Sequence, residues 1–230
     1  MRPLVFISGW GTTAQAWRQV VAGIGGRHPC FFFSWRDALP SGDSLSRKLA
    51  EFSAPVILVG WSLGGLLALQ AACLSASIAG LVLVAATARM TAAGDYPGVP
   101  AAALRGMILK MRRHRQAVLR DFAANASFPR NDAGWEEDFL TQSGSFATAE
   151  LIHGLEFLAG ADLRDSQARI TVPAHILHGD NDRIVPAAQA RHLHLHLPNS
   201  SLTLIEGGGH ILPHTHPRTL IQKIEMLENA

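Results

Sequence analysis

The first residue with chemical potential is Ser62, in the sequence Gly-Trp-Ser-Leu-Gly at positions 60–64. The apolar run 56–59 precedes it and a run rich in alanine and leucine follows, which predicts a tight turn between a buried strand and a helix. Flanking glycines let neighbouring backbone pass without a Cβ clash, and the helix N-terminus favours developing negative charge. A plain Gly-Ser turn has the same letters, but the strand-to-helix context favours a nucleophilic serine.

A serine hydroxyl needs a base to take its proton, and the chain offers eleven histidines. His210 follows the three glycines 207–209, just after the last apolar run of the chain. This position predicts that His210 lies at the carboxyl edge of a parallel sheet, where Ser62 is also expected. His175 and His178 flank a strand-like run and fit this role less well. His210 is therefore the predicted base.

The base needs an acid that orients it, and two aspartates compete for this role. Residues 179–186 read Gly-Asp-Asn-Asp-Arg-Ile-Val-Pro, between the predicted strand 174–177 and His210. The spacing Gly-x-x-Asp-x-x-Val-Pro favours Asp182, while Asp180 suits the turn itself. The order Ser62, Asp182, His210 is the one that α/β-hydrolases use.

A serine nucleophile also requires hydrogen-bond donors for the oxyanion that forms at the attacked carbonyl. We expect one donor to be the backbone N–H of Leu63, directly after the nucleophile. The other should come from the loop 8–11, after the first predicted strand, and Trp10 N–H is the preferred candidate. Gly9 and Gly11 would also suit an ordinary turn.

The elements that must position these residues alternate along the chain. Strand-like runs occur at 4–7, 30–33, 56–59, 81–84, 174–177 and 202–205, and helical patterns at 13–24, 44–52, 63–74, 187–197 and 217–227. This alternation predicts an α/β fold with a mostly parallel sheet and helices on both faces. The alternation of strands and helices stops between 87 and 168, which predicts a helical cap inserted into a core of residues 1–86 and 169–230.

Composition and charge exclude several other classes of protein. The chain has 230 residues, 48% of them hydrophobic and 17% charged, as in globular proteins. A net charge of +2 does not indicate nucleic-acid binding. No apolar run reaches the ~20 residues of a membrane span, and no signal peptide is visible. We expect a cytoplasmic monomer whose two cysteines are reduced and buried.

No metal or cofactor is expected, because the sequence has no metal-ligand cluster, P-loop or dinucleotide motif. The pattern that comes nearest to a metal-ligand cluster is the group His192, His194 and His196 on a predicted helix. His192 and His196 have helical i, i+4 spacing and could hold an adventitious metal, but a solvated surface is the simpler interpretation.

With these residues placed, the chain resembles the small α/β-hydrolases, and among them the pimeloyl-acyl-carrier-protein methyl ester esterases of biotin synthesis. The matching stretches are 8–11 with Trp17, 60–65, 154–158 with 162–164, 182–186 and 209–210 with 216–217. Ser8 departs from the family pattern, which has histidine there. The resemblance implies an esterase that removes the methyl group from a pimeloyl chain carried by acyl carrier protein.

The predicted cap adds an independent observation about that substrate. Basic residues cluster there at Lys110, Arg112, Arg113, Arg115 and Arg120. Since acyl carrier proteins are acidic, Arg112, Arg113 and Arg115 are candidate carrier-binding residues, although a solvated basic helix face is an equal alternative. Trp10, Trp61 and apolar residues of the cap are expected to line the acyl channel.

Three other functions remain open at this point. A general short-chain carboxylesterase would use the same three residues with an incidental basic cap. The same residues also serve C–C bond hydrolysis or elimination reactions in other α/β-hydrolases. A non-catalytic hydrolase-like binding protein is the third, but such proteins often lose a catalytic residue, and this chain keeps Ser62, Asp182 and His210.

Overall fold

The computed structural model describes residues 1–39 and 42–228. A six-stranded, wholly parallel sheet runs through it in the order β2-β1-β3-β4-β5-β6. The strands are β1 Leu4–Ile7, β2 Cys30–Phe33, β3 Val56–Trp61, β4 Ile78–Val84, β5 Ala174–Gly179 and β6 Ser200–Ile205. The predicted α/β class is confirmed.

The central strands form the core of the molecule. All six residues of β3 are buried, and successive side chains of a strand point to opposite faces. Both faces of the sheet are therefore covered, which explains why residues 56–59 are uniformly apolar instead of alternating. The edge strands β2 and β6 are only half-buried over much of their length.

Helices supply the two covering layers. They are α1 Arg18–Ile24, α2 Trp35–Ala38, α3 Gly42–Leu49, α4 Leu63–Ala72, α5 Ala101–Ser127, α6 Ala133–Gly144, α7 Thr148–Gly160, α8 Ala187–His196, α9 Leu212–Thr215 and α10 Pro217–Glu228. Helix α4 packs against β1, β3 and β4, and α10 packs against β3, β4 and β5. No helix among the described residues is long and apolar enough to cross a membrane.

The segment between β4 and β5 contains α5, α6 and α7 and no strand of the sheet. We call residues 87–168 the cap. Helix α5 packs on both α6 and α7, and it bends at His114, whose φ of −135° and ψ of 46° are not helical. The helical character agrees with the predicted interruption of the sheet, while the division of the chain into two domains stays a prediction.

The structure differs from the predicted elements mainly at short helices. Helices α2 and α9 have four residues each, too few to show helical periodicity in sequence. The predicted helix 13–24 starts instead with a 3-10 turn, Ala14–Trp17. Cys30 and Cys73 are free and half-buried instead of fully buried.

Candidate active site

Ser62 lies on a strained turn between β3 and α4. Its φ of 56° and ψ of −119° are outside the regions that residues with a side chain normally adopt. The Ser62 N–H donates to the Val84 carbonyl of β4 at 2.9 Å, and the Gly65 N–H donates to the Ser62 carbonyl at 2.9 Å. The neighbouring elements thus hold a conformation that would be unfavourable alone, and they present the hydroxyl at the carboxyl edge of the sheet.

The glycines on either side of Ser62 are required by close backbone contacts. A Cβ on Gly60 would lie 2.6 Å from the Gly64 carbonyl oxygen, and one on Gly64 would lie 2.1 Å from the Ile7 carbonyl oxygen. Any side chain at these positions would push α4 away from β1 and β3. The glycines of the motif therefore set the approach of helix to sheet that the turn needs.

The structure brings Ser62, His210 and Asp182 into one hydrogen-bonded chain. His210 Nε2 lies 3.0 Å from Ser62 Oγ, and His210 Nδ1 lies 2.7 Å from Asp182 Oδ2. His210 is 1% exposed and Asp182 is 7% exposed, whereas Ser62 is only half-buried. This geometry suits proton transfer from the hydroxyl to the imidazole, with the carboxylate fixing the tautomer of the ring.

The carboxylate of Asp182 is held from both sides. Its Oδ1 accepts hydrogen bonds from the N–H groups of Ile184 at 2.8 Å and Val185 at 2.9 Å. Burial by itself would raise the pKa of Asp182, but the charge and hydrogen bond of His210 outweigh it and lower that pKa. The competing Asp180 is exposed in the turn. The carboxylate beside His210 is thus that of Asp182.

A second histidine lies against the same carboxylate. The His178 ring is fully buried, with Nε2 2.8 Å from the Val185 carbonyl and 3.5 Å from Asp182 Oδ2. Burial lowers the pKa of His178, so the ring stays neutral and donates to Val185 from Nε2. His178 therefore supports the loop that carries Asp182, a role that its position next to the predicted strand 174–177 did not reveal.

The predicted oxyanion donors lie next to Ser62. Leu63 is the first residue of α4, so its N–H has no partner within the helix. The loop after β1 lies against Ser62, since a Cβ on Gly9 would be 3.4 Å from Ser62 Cβ. Trp10 is anchored in this loop by its indole N–H, which donates to the Leu151 carbonyl of α7 at 2.8 Å. Their action as an oxyanion hole stays a prediction.

A cavity of about 170 Å³ opens on Ser62, and we call it the acyl chamber. Its walls come from the core loops and the cap, and they are apolar apart from two hydroxyls and one guanidinium. The lining residues are Trp10, Ser62, Leu63, Thr87, Met90, Val99, Ala103, Leu104, Met107, Phe122, Leu155, Leu158, Arg183, Ile184 and Val185. Such a chamber fits an aliphatic chain beside the Ser62 hydroxyl.

The two tryptophans predicted to bind substrate lie in different places relative to the acyl chamber. Trp10 lines the acyl chamber, but Trp61 does not. The indole of Trp61 is buried, and its N–H donates to the His210 carbonyl at 3.0 Å, so its contact is with the backbone of His210. Trp61 turns inward because it is the last residue of the fully buried β3.

The three cap arginines also separate into two groups. Arg115 is turned into the cap, where its guanidinium donates to the carbonyls of Ser143 at 2.8 Å and Phe146 at 2.9 Å. Its position is therefore structural. Arg112 and Arg113 are exposed and border a surface groove near the bend of α5.

The predicted alternative of a metal site on α8 finds limited support. The rings of His192 and His196 stack with centroids 4.1 Å apart. Among the side chains that the structure describes, those of residues 1–39 and 44–228, no group of three or more histidine, cysteine or carboxylate side chains is arranged to hold a metal ion.

The sequence indicated that apolar cap residues line the channel, but it did not identify which ones. Met107, Phe122, Leu155 and Leu158 come from cap helices, where apolar residues also pack the cap itself, so no sequence signal separated the two roles. Sequence reasoning did not single out Arg183 either, although its position directly after Asp182 is a signal that could have placed it near the site.

Comparison with known proteins gives a family match and close likenesses in fold. The alpha/beta hydrolase family matches residues 4–223. The pimeloyl-[acyl-carrier protein] methyl ester esterase of Pectobacterium atrosepticum is 29% identical, over 96% of this chain and 92% of its own. That of Xanthomonas axonopodis pv. citri is also 29% identical, over 90% of this chain and 87% of its own.

Two solved structures show how widely the fold is shared. A bromoperoxidase from Bacillus anthracis superposes with a TM-score of 0.90 at 21% identity, covering 100% of this chain and 92% of the other. An esterase from Exiguobacterium antarcticum gives a TM-score of 0.85 at 19% identity, covering 99% and 92%. At these identities the likeness concerns the fold alone.

Proposed function

The chain belongs to the alpha/beta hydrolase family, and from this we propose that it is a serine carboxylesterase acting on the methyl ester of pimeloyl-acyl carrier protein, as in biotin synthesis. The observation that carries the proposal is the hydrogen-bonded chain from Ser62 through His210 to Asp182, which opens on an apolar chamber. The substrate is taken from the relatives, which are named as esterases of this compound.

In the first half of the reaction, His210 Nε2 takes the proton of Ser62 Oγ as the oxygen attacks the ester carbonyl. The C=O π electrons move onto the carbonyl oxygen, and the N–H groups of Leu63 and Trp10 stabilise this oxyanion. Asp182 stabilises the imidazolium. When the intermediate collapses, the protonated His210 gives its proton to the methoxy oxygen, and methanol leaves an acyl-enzyme on Ser62.

In the second half, His210 takes a proton from water, which attacks the acyl-enzyme carbonyl. Collapse of the second intermediate returns the proton to Ser62 Oγ and releases a free carboxylic acid, which ionises at neutral pH. The net reaction consumes one water and yields methanol and the acid, with no step that needs a metal or cofactor.

The surroundings of Ser62 support a long acyl substrate. The acyl chamber offers apolar walls to methylene groups. Arg112 and Arg113 on the cap surface supply positive charge near the bend of α5, where an acidic carrier protein would be attracted. The monomeric state and cytoplasmic location stay predictions of the sequence.

The test is mass spectrometry of pimeloyl-acyl carrier protein methyl ester incubated with catalytic amounts of enzyme. We expect the product to lose the mass of one methylene group, and Ser62→Ala to lower kcat by several orders of magnitude. Near-normal turnover by Ser62→Ala would refute the nucleophile. An intact carrier substrate together with brisk hydrolysis of short p-nitrophenyl esters would favour a general short-chain carboxylesterase.

The carrier protein is tested separately by reversing charge on the cap. The double variant Arg112→Glu and Arg113→Glu should raise KM for the carrier-bound ester at low salt and leave a small free methyl ester unaffected. Equal kinetics on the carrier substrate would show that the basic residues are a solvated surface.

A further inference from the structure

The acyl chamber shares a wall with a second cavity that leads to the surface of the cap. This outer groove has a volume of about 410 Å³. Both cavities are lined by Ala103, Met107, Phe122, Arg183 and Ile184. The groove adds polar side chains that the chamber lacks, namely Lys110, Asp121 and Asn125. A chain that starts at Ser62 can thus leave the chamber past this shared rim.

Arg183 is the charged residue of that rim, and its guanidinium is held in place. The guanidinium carbon lies 3.2 Å from the centroid of the Phe128 ring. Phe128 itself is fixed against the loop before His210, because a Cβ on Gly209 would lie only 1.9 Å from the Phe128 carbonyl oxygen. Since Arg183 directly follows Asp182, its backbone is also fixed relative to the catalytic residues.

Stacking leaves the hydrogen-bonding capacity of this guanidinium available. The contact with Phe128 uses the flat face, whereas the five N–H donors of arginine point outward in its plane. Among the side chains of residues 1–39 and 44–228, no carboxylate forms an ion pair with Arg183, whereas the other cation of the groove, Lys110, pairs with Asp121 at 2.6 Å. Arg183 therefore presents unpaired donors at the rim.

We propose that Arg183 is a specificity-determining residue that binds an oxygen acceptor at the far end of the acyl chain, opposite the ester that Ser62 attacks. This inference rests on the proposed esterase function and deepens it. The acceptor is a carboxylate in a free dicarboxylic half-ester and a carbonyl oxygen in a carrier-bound chain. In both cases the guanidinium favours binding of a chain with oxygen at both ends over binding of a simple fatty ester.

Three small methyl esters of equal chain length separate these possibilities. Monomethyl pimelate has a carboxylate at the far end, dimethyl pimelate has a neutral carbonyl there, and methyl heptanoate has no oxygen there. The measurement is kcat/KM for each ester with wild type, Arg183→Gln and Arg183→Lys. The matched control is Arg191→Gln, an exposed arginine of α8 that lines neither cavity.

We expect Arg183→Gln to lower kcat/KM about 10- to 100-fold for monomethyl pimelate, the loss typical of a hydrogen bond to a charged group. Methyl heptanoate should change by less than about twofold, because it offers no acceptor to Arg183. Arg183→Lys should retain part of the preference for monomethyl pimelate over methyl heptanoate, and Arg191→Gln should retain all of this preference. A parallel loss with dimethyl pimelate would identify a carbonyl as sufficient, and no loss there would identify the carboxylate as the ligand.

Two results would overturn the inference. An equal fall for all three esters would mean that Arg183 only supports the loop of Asp182, and unchanged kinetics would mean that it has no role in selection. The carrier-bound ester is assayed alongside. If it resists hydrolysis while the small-ester selectivity still depends on Arg183, the proposed carrier substrate fails and this inference stands. If it is hydrolysed and the selectivity is unaffected by Arg183→Gln, only this inference fails.

Discussion

At the scale of the residue, Asp182 combines two tasks on its two oxygens. Oδ2 lies beside His210, while Oδ1 accepts the backbone N–H groups of Ile184 and Val185. Replacement by asparagine keeps one carbonyl oxygen for the backbone and removes the negative charge. The variant can therefore keep the loop intact while it loses the electrostatic partner of the imidazolium.

We accordingly expect Asp182→Asn to lower kcat by about three to four orders of magnitude, because an amide favours the wrong tautomer of the histidine. The matched control is Asp180→Asn in the exposed part of the same turn, which should retain activity within about twofold, as surface changes usually do. Steady-state kinetics on a p-nitrophenyl ester, with circular dichroism to verify folding, gives the comparison. A larger loss for Asp180→Asn would exchange the roles of the two aspartates.

Residue types and spacing were sufficient to predict that Ser62, Asp182 and His210 come together, and the structure joins them by hydrogen bonds. They did not reveal that Trp61 faces His210 or that Arg115 is turned into the cap. Both outcomes depend on which side of an element faces which neighbour. A strand buried on both faces, like β3, carries no alternation from which that direction could be deduced.

At the scale of the element, the entry of α4 onto the sheet is set by the absence of a side chain at Gly64. Replacement by alanine would put a methyl group 2.1 Å from the Ile7 carbonyl oxygen, and backbone on both sides leaves little freedom to yield. We expect Gly64→Ala to lower the free energy of unfolding by about 2 to 3 kcal/mol, as overpacking in a core does, and to lower kcat as well.

Urea denaturation measures this loss, and Gly144→Ala is the control. Gly144 ends α6, and a Cβ there meets nothing within 4 Å, so the free energy of unfolding should change by less than about 1 kcal/mol. Similar values for both variants would show that α4 can shift away from β1 at little cost.

The elements themselves were largely predictable, because strands of a parallel sheet are continuous apolar runs between turn residues. All six runs became strands, although β3, β4, β5 and β6 are longer than expected. The bend of α5 at His114 was not predictable. No proline or glycine marks that position.

At the scale of the whole molecule, the two ends of the cap are tied together by charge. The Asp162 carboxylate, after α7, accepts hydrogen bonds from Arg164 Nε at 2.9 Å and Nη2 at 2.8 Å, and also pairs with Arg89, which follows β4. The hydrogen bond from Arg164 lowers the pKa of Asp162 most. Partial burial acts in the opposite direction, but the hydrogen bond from Arg89 adds to that of Arg164, and together they hold the pKa well below its usual range.

Because this pKa is lower in the folded state than the value of about 3.9 in an unfolded chain, the stabilisation is complete only above about pH 4. It decreases progressively as the pH falls from there and is lost once the pH has passed through the folded value. Asp162→Asn should therefore lower the free energy of unfolding at pH 7 by about 1 to 3 kcal/mol. The difference in the free energy of unfolding between the variant and the wild type should be smaller at pH 3.5 than at pH 7. Urea titrations at both values measure it, and a gap that is constant with pH would contradict the ion-pair explanation.

The tie between Arg89 and Asp162 also has a consequence for how such proteins diversify. The chain leaves the sheet and returns to it through two residues that are paired in an antiparallel bridge, so the 72 residues between them begin and end at nearly the same point in space. A different helical segment with similarly adjacent ends could therefore join the sheet at the same two residues, provided that it replaced the contacts of the present cap with Trp10 and with Gly209. The strands that carry Ser62, Asp182 and His210 would stay as they are, while the chamber, and with it the choice of substrate, would change.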